Sequence, residues 1–406
     1  MEDDSGAAIH APLAGPAPSP DDVRRMLAGV IDPELHLSIV ELGMVDDVEV
    51  SPDGKVKVKV ALTTAGCPLR GQIKSEVQSK VRGLPGVTEV DVEYGEMTQE
   101  QKATAMQRAR WQAREDAEPT EVLATTRVLA VASGKGGVGK SSVTVNLAAA
   151  LASRGLTVGV LDADIWGFSV PRMLGVEGRL GGAEGKIHPN TVEVPNTLDT
   201  NGPAGLLKVV SMGFLVDDEG TALMWRGLIL TKAVEQFLND VRWGEMDYLL
   251  IDLPPGTGDI QMGLARMLPQ SELLVVTTPA VAAQRVAVRV ADMARRSYLK
   301  VVGVVENMSE FVAPSGERFA VFGEGGGKAL ADEISAPLVA QIPLEPSLSE
   351  GSDTGRPIAL SAPDSPAGVA FHELAAQLVD DLAPPIEMAG CTARILELAD
   401  QAAAKT

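Results

Sequence analysis

The chain has little cysteine, few aromatic side chains and a deficit of positive charge. Its 406 residues include two cysteines, Cys67 and Cys391, and aromatic residues make up 3% of the composition. Two thiols favour a reducing compartment over a disulfide framework, and they are too few for a four-thiolate cluster within one chain. Aspartate and glutamate (55) outnumber lysine and arginine (35), giving a formal net charge of -20. This charge argues against a nucleic-acid partner, because general nucleic-acid binders are normally basic.

Long apolar segments are also missing from the sequence. None approaches the roughly 18 consecutive apolar residues that a transmembrane helix needs. Residues 1–20 lack the basic start and the apolar stretch of a secretion signal, and their Pro, Ala and acidic content predicts a disordered tail. We therefore expect a cytoplasmic protein with no membrane partner.

The remaining sequence predicts a small domain, a linker, a large domain and a C-terminal tail. Residues 21–95 contain a helical segment, two alternating strands around the turn signal SPDG, a second helix and a further alternating strand. This order predicts a small α/β domain. Residues 96–125 are charged and rich in Gln and Ala, which predicts an exposed helical linker. Residues 384–406 form the tail, which includes one short helical pattern.

Residues 126–383 predict an α/β domain, because apolar runs alternate with helical patterns at the rhythm of βαβ units. Continuous Val, Leu and Ile runs indicate burial on both faces, hence a doubly wound, mostly parallel sheet flanked by helices. A glycine-rich stretch, residues 178–205, predicts a small hairpin insertion or an ordered loop. Ligands of such sheets bind at the carboxyl ends of the strands. The predicted strands are RVLAVAS, TVGVLDAD, LKVVSMGF, DYLLIDLP, ELLVVTTP, VVGVVENM and PLVAQIP.

A phosphate-binding loop follows the first of these strands. GKGGVGKSS, residues 134–142, matches the pattern GxxxxGK[ST] between a strand and a helix, which is the context that the pattern requires. Lys140 would neutralise the β and γ phosphates, Ser141 would bind magnesium, and Ser142 would reach the α-phosphate. We therefore predict a P-loop NTPase that uses ATP and magnesium. The residues expected to hold ATP here are Gly134, Lys135, Gly136, Gly137, Val138, Gly139, Lys140, Ser141 and Ser142.

The segment KGGVGKS resembles the deviant loop of the family that includes nitrogenase iron protein and the plasmid-partition and septum-positioning ATPases. This resemblance implies a nucleotide-sandwich homodimer, in which Lys135 reaches the phosphates of the other subunit and acts like an arginine finger. A solvated surface charge is the alternative for Lys135. Asp164 fits the first switch of this class, where a carboxylate orients the attacking water and contacts magnesium through solvent. An acidic strand-end cap is the alternative for Asp164, whereas Asp162 is expected to support the loop.

The second switch is predicted in DYLLIDLPPGTGD. Asp252 ends an apolar run, as a Walker B aspartate does, and would bind magnesium through a water molecule. Gly256 would then offer its backbone amide to the γ-phosphate. Asn307, just after VVGVVE, resembles the adenine-reading asparagine of the class, since its amide can both donate and accept.

The segments GKGGVGKSS, LDADIWGFSVP, MWRG, DYLLIDLPPGTGD and ENMS together resemble the Mrp family of iron-sulfur cluster carrier ATPases, over most of residues 126–380. Asp32, Pro33 and Glu34, with the segment TTAGCP, resemble the small domain of iron-sulfur assembly proteins. The two resemblances imply a homodimer that binds a bridging cluster, hydrolyses ATP and hands the cluster to apoproteins. The implied partners are apo iron-sulfur proteins and assembly factors.

One departure from the Mrp pattern concerns the cluster ligands. Family members with a metal centre carry a C-P-x-C-type motif after the ENMS-like segment, but Ala313 and Ser315 stand near those positions here. Neither residue supplies a thiolate, so the usual cluster cannot form in the usual way. Cys67, at a strand-to-helix junction, is either a functional thiol or a small buried residue. For Cys391, a small buried residue is favoured over a thiol at the dimer interface. The four histidines are scattered along the sequence without the spacing that metal ligands show.

Two functions compete with a cluster carrier. The first is an ATPase adaptor of the assembly pathway that holds no cluster of its own. The second is a partition or positioning ATPase, which needs a basic DNA-binding surface or a C-terminal amphipathic membrane helix. The tail ARILELADQAAAKT has few positive charges and a modest apolar face, which argues against membrane targeting.

Overall fold

Two units make up the chain in this computed structural model, Met1–Asp116 and Ala117–Thr406. The N-terminal tail up to residue 14, Cys67, and the C-terminal helical pattern with Cys391 lie outside the described residues. None of the described helices is long and apolar enough to cross a bilayer. The structure describes residues 15–32, 37–62, 70–115, 120–164, 167–183, 185–215, 227–256, 259–297, 299–313 and 315–386.

The first unit contains a three-stranded sheet and the helices predicted around it. The hairpin of β1 and β2 is antiparallel as predicted, and β3 pairs parallel with β2. The valines of β2 alternate with lysines, so that Val56, Val58 and Val60 are buried beneath a charged outer face. The elements of this unit are α1 (Pro20–Leu27), β1 (Val45–Val50), β2 (Lys55–Leu62), α2 (Arg70–Arg82), β3 (Glu89–Glu96) and α3 (Gln99–Glu115).

Helices lie at both ends of the first unit, and local sequence features explain why they form there. Helix α1 begins at Pro20 because Ser19 caps it: the Ser19 hydroxyl accepts from the Asp22 amide at 3.2 Å, and the Asp22 carboxylate accepts from the Ser19 amide at 3.0 Å. Helix α3 occupies most of the stretch expected as a linker, and it belongs to the first unit. Ala105 and Ala109, four residues apart, are buried on one face of α3.

The second unit is an α/β domain with a large mixed sheet. Each of the seven predicted strands is present, as β4, β5, β9, β10, β11, β12 and β14 in the order given below. The elements are β4 (Arg127–Ser133), α4 (Lys140–Ala152), β5 (Thr157–Asp162), α5 (Val170–Leu174), β6 (Gly181–Ala183), β7 (Lys186–His188), β8 (Asn190–Val194), β9 (Gly205–Ser211), α6 (Gly227–Asp240), β10 (Tyr248–Asp252), α7 (Asp259–Met267), β11 (Glu272–Thr277), α8 (Val281–Arg296), β12 (Lys300–Val312), β13 (Arg318–Phe319), α9 (Gly326–Ile334), β14 (Leu338–Leu344), α10 (Pro346–Asp353), α11 (Ile358–Ser361) and α12 (Pro366–Gln377).

The sheet order explains where ligands can bind. Nine strands of the described residues run β13-β12-β11-β4-β10-β5-β9-β8, with β14 also on β12. All neighbouring pairs from β12 to β9 are parallel, as is β12 with β14, whereas β13 and β8 are antiparallel edges. The doubly wound, mostly parallel sheet is therefore confirmed. The glycine-rich insertion holds the predicted hairpin, β6–β7, and also β8, which joins the main sheet.

Helix α4, which the phosphate loop opens, lies in the core. Eleven of its thirteen residues are buried, among them Ala148, Ala149 and Ala150, whose small side chains allow close packing. It packs on β5, β9 and β10 on one side and on α12 on the other. All five residues of β10, the neighbour of both β4 and β5, are buried as well. Burial of α4 and β10 fixes the loop and the end of β10 relative to each other.

We predict that Phe371→Ala lowers the free energy of unfolding of the second unit by about 3–5 kcal/mol, since it empties a large buried volume. Phe371, on α12, is 0% exposed and belongs to the core around α4. The matched control is Leu198→Ala, at a 66% exposed position, which should stay within about 0.5 kcal/mol of wild type. Urea unfolding of each variant measures the difference. Similar losses in the two variants would contradict the placement of Phe371 in the core.

Candidate nucleotide-binding site

The phosphate loop connects β4 to α4 as the sequence predicts. Strand β4 ends at Ser133 and α4 begins at Lys140, so that residues 134–139 form the loop. Gly137 and Gly139 have φ angles of +81° and +80°, in the left-handed region that L side chains rarely adopt. A Cβ added to Gly137 would meet no atom within 4 Å. Glycine is therefore needed there for backbone conformation, and its lack of a side chain leaves the inner surface of the loop open to a ligand.

Gly134 and, for a second reason, Gly139 are needed for close packing. A Cβ on Gly134 would lie 2.4 Å from the Ala287 nitrogen of α8, and one on Gly139 would lie 2.2 Å from the Asn307 Nδ2. Such distances are shorter than real side chains allow, so the loop is fitted between α8 and the end of β12. Substitution of either glycine would push the loop away from its supports.

A cavity of about 240 Å³ lies over the loop. Lys135 is exposed at its rim, and no hydrogen-bonding partner of its ammonium group occurs among the described residues. Besides residues 135–142 of the loop and helix start, the lining consists of Ser133, Asp164, Gly167, Ser169, Met173 and Pro255. The cavity therefore brings together the loop and the first switch residue that the sequence predicts.

Asp252 is the centre of the polar contacts beneath this cavity. Its carboxylate is fully buried and accepts hydrogen bonds from the Lys140 ammonium at 2.6 Å and from the Ser141 hydroxyl at 2.5 Å. The Thr144 hydroxyl donates to the same carboxylate at 3.0 Å and to the Lys140 carbonyl at 3.0 Å. Thr144 is not among the residues that the sequence predicts for this site. Its position four residues after Lys140, on the same face of α4, was the available signal.

Asp164 is the second carboxylate near Lys140. Its Oδ2 lies 3.8 Å from the Lys140 Nζ, and the residue is 9% exposed, at the cavity wall. This position lets its carboxylate reach a ligand in the cavity. The placement agrees with the predicted switch role but does not test it.

Asp162 supports the loop after β5, as predicted. Its buried carboxylate accepts hydrogen bonds from three backbone amides and one hydroxyl, at 3.1 to 3.3 Å, and these donors belong to Asp164, Ser169, Val170 and Ser211. Burial raises the pKa of Asp162 to about 7, the negative charge of Asp252 adds to this rise, and the positive charge of Lys140 opposes it. These bonds fix the first turn of α5 and the segment that carries Asp164.

Gly256 and Asn307 both contact the phosphate loop or the strand before it. The Gly256 amide donates to the Ser133 carbonyl at 2.9 Å, and the Asn307 Nδ2 donates to the Val138 carbonyl at 2.9 Å. The Gln261 side chain donates to the carbonyls of Pro254 and Gly256 at 3.0 Å each, which holds the segment after β10. Gln261 is a further residue that sequence analysis missed, because its bonds depend on how the chain turns after β10.

The possible cluster thiols, Cys67 and Cys391, lie outside the described residues. Among those residues no group of three or more His, Cys, Asp or Glu side chains could hold a metal ion. Ala313 and Ser315 lie in the turn after β12, where the Ala313 amide donates to the Glu317 carbonyl at 2.9 Å and the Gly316 amide donates to the Ala313 carbonyl at 2.8 Å. A tight turn is therefore present at this position, without thiolates.

Known families match both units of the chain. A family profile described as NUBPL iron-transfer P-loop NTPase matches residues 124–379, which is more than half of the sequence. The chain belongs to the iron-transfer P-loop NTPases. A second profile, described as iron-sulfur cluster assembly protein, matches residues 20–92 of this NTPase, in the first unit.

Individual relatives agree with this family. An iron-sulfur cluster carrier protein of Mycobacterium tuberculosis is 46% identical over 360 residues, which cover 87% of this chain and 91% of the relative. One of Deinococcus radiodurans is 40% identical over 363 residues, covering 89% and 95%. A solved nucleotide-binding protein of Archaeoglobus fulgidus, in complex with ADP, is 37% identical and has a TM-score of 0.46, with coverage of 57% of this chain and 86% of that chain. The similarity to the two carriers extends beyond the P-loop NTPase unit.

We predict that Lys140→Ala lowers the affinity for ATP at least about 100-fold, because charge-assisted bonds to phosphate contribute about 1.5–3 kcal/mol each. Isothermal titration of ATP with magnesium measures the change, and thermal unfolding checks that the variant is folded. The control is Lys186→Ala on the hairpin β6–β7, which removes an ion pair with Glu121. This variant should bind ATP within about twofold of wild type. Wild-type affinity in folded Lys140→Ala would rule out the predicted site.

Proposed function

We propose that this protein is an ATP-hydrolysing carrier that delivers iron-sulfur clusters to apoproteins as a homodimer. The observation that carries the proposal is the convergence of Lys140, Ser141 and Thr144 on the buried Asp252, beneath a glycine-rich loop, in a chain whose relatives are named iron-sulfur cluster carriers. Membership of the iron-transfer family supports this function over a partition or positioning ATPase.

The residues around the loop fit a triphosphate and a magnesium ion. Lys140 would bind the β and γ phosphates, and Ser142 and the backbone amides of the loop would bind the remaining oxygens. The Ser141 hydroxyl and the Asp252 carboxylate are adjacent oxygen donors, the type that magnesium prefers, and Asp252 would act through a water. When bound, magnesium neutralises negative charge on the phosphate oxygens.

Hydrolysis would proceed by attack of a water molecule on the γ-phosphorus. The bond from that phosphorus to the oxygen bridging it to the β-phosphate breaks, and ADP leaves with the bonding electrons while the water loses its proton to solvent. Asp164, 3.8 Å from the Lys140 ammonium, would orient this water. Gly256 would donate its amide to the γ-phosphate after releasing the Ser133 carbonyl, so that the loop after β10 responds to the nucleotide.

The homodimer part of the proposal rests on Lys135. This lysine is not needed to hold the nucleotide within one subunit, and its exposed ammonium group at the cavity rim is available to a second copy. In the dimer it would stabilise charge on the phosphates bound by the other subunit. We place this dimer in the cytoplasm, with apo iron-sulfur proteins and assembly factors as partners.

The cluster itself is cargo, and thiolates are the ligands that it favours. Ala313 and Ser315 cannot supply the soft thiolates that such clusters favour, which leaves Cys67 and Cys391 of this chain as candidates. The same absence favours one second function, an ATPase adaptor that acts on a cluster held by another assembly protein.

We predict that Lys135→Ala keeps ATP affinity within about threefold but lowers the hydrolysis rate at least about 1000-fold, as loss of an arginine finger does. Phosphate release at saturating ATP gives the rate, and titration gives the affinity. Lys328→Ala, on α9, is a matched control because its ammonium is exposed and pairs only locally with Asp332. Equal hydrolysis by Lys135→Ala and wild type would refute the cross-subunit role.

We predict that anaerobic reconstitution with iron and sulfide yields a visible-absorbing cluster that transfers to an apo iron-sulfur protein. Cys67→Ser and Cys391→Ser, tested in parallel, identify a ligand by loss of this absorption. Absence of a cluster in the wild-type protein that still hydrolyses ATP would sink the carrier function and leave the adaptor.

A further inference from the structure

The carboxyl end of β12 approaches the phosphate loop with two consecutive side chains. A Cβ placed on Gly139 would lie 2.2 Å from the Asn307 Nδ2 and 3.5 Å from the Met308 Cε. In a regular strand, successive side chains point to opposite faces, so both could not reach one residue. The break in this alternation has a local cause. Met308 has a φ of +56°, in the left-handed region that a non-glycine residue seldom adopts.

The strand end that carries Asn307 is held from its other side. Glu306 is buried, and its carboxylate accepts a hydrogen bond from the Gly327 amide at the start of α9 and another from the Gln341 side chain of β14, the latter at 2.7 Å. A left-handed residue persists when its surroundings determine its conformation. The bonds of the neighbouring Glu306 therefore fix the strand end from which the Asn307 side chain extends.

The group that Asn307 holds lies between two glycines of the loop. The Val138 carbonyl, which accepts from the Asn307 Nδ2 at 2.9 Å, stands between Gly137 and Gly139, both left-handed and free of side chains. Because the peptide bond is planar and trans, a carbonyl directed at Asn307 turns the amide of Gly139 in the opposite direction. Gly139 lines the cavity over the loop.

We propose that Asn307 is a positioning residue for the phosphate loop, separate from its predicted contact with adenine. Its amide fixes the Val138–Gly139 peptide so that the Gly139 amide is directed at the phosphates of a bound nucleotide. Asn307 is 3% exposed, which suits a buried support. This inference rests on the proposed ATP-binding function, and it assigns the residue a role that does not depend on the base.

The test uses a ligand that has no base. Affinities of wild type, Asn307→Ala and Asn307→Ser for inorganic tripolyphosphate, ATP and GTP, each with magnesium, are measured by isothermal titration on the full chain. Both substitutions are neutral, so they add no charge that would repel phosphate. The exposed Asn201→Ala is the matched control. We expect both Asn307 variants to lose about five- to tenfold in tripolyphosphate affinity, as loss of one hydrogen bond allows.

A second measurement needs no ligand. Hydrogen exchange of the loop amides should be about five- to tenfold faster in the Asn307 variants, whereas exchange in β10 should match wild type. Unchanged tripolyphosphate affinity and unchanged loop exchange would overturn the positioning role, even where ATP affinity falls, because only a base contact would then be lost. Failure of wild type to bind tripolyphosphate and ATP would instead overturn the proposed ATP function.

Discussion

The buried carboxylate of Asp252 is the interaction on which the nucleotide site depends. An isolated charge without access to water is costly, so Asp252 must be paired, and Lys140 pairs with it at 2.6 Å while the hydroxyls of Ser141 and Thr144 also donate to it. The three donors all come from the first turns of α4. The end of β10 is thereby tied to the start of the loop helix, and a bound magnesium-triphosphate would take over the same donors. The contacts that stabilise the fold are therefore the ones that the ligand redistributes.

The loop above this pair is shaped by its neighbours as much as by its own glycines. Gly134 is pressed against α8 and Gly139 against Asn307, so the loop is supported at both ends. The strand that supplies Asn307 runs on to Val312, next to the turn that contains Ala313 and Ser315. One strand therefore extends from the support of the phosphate loop to that turn.

Much of this arrangement could be predicted from sequence, because its signals are local. The seven predicted strands are recognisable as runs rich in Val, Leu and Ile, and the loop is recognisable from glycine spacing between a strand and a helix. What escaped prediction depends on residues distant in the chain. The sequence around Thr144 does not indicate its role, because its partner Asp252 lies 108 positions away in the chain. Likewise, the left-handed conformation of Met308 has no sequence signal, and β8 joins the sheet through tertiary pairing with β9.

The turn after β12 bears on cluster binding and not on ATP hydrolysis, the two parts of the proposed function. Two backbone hydrogen bonds close it, from the Ala313 amide to the Glu317 carbonyl and from the Gly316 amide to the Ala313 carbonyl. In a cluster-binding turn, metal–thiolate bonds would contribute to folding, and losing the thiolates would cost stability. Here backbone bonds supply that closure. The proposed ATPase switch is compatible with cluster ligation by thiolates elsewhere in this chain or on a partner, which makes the source of the thiolates the point that distinguishes a carrier from an adaptor.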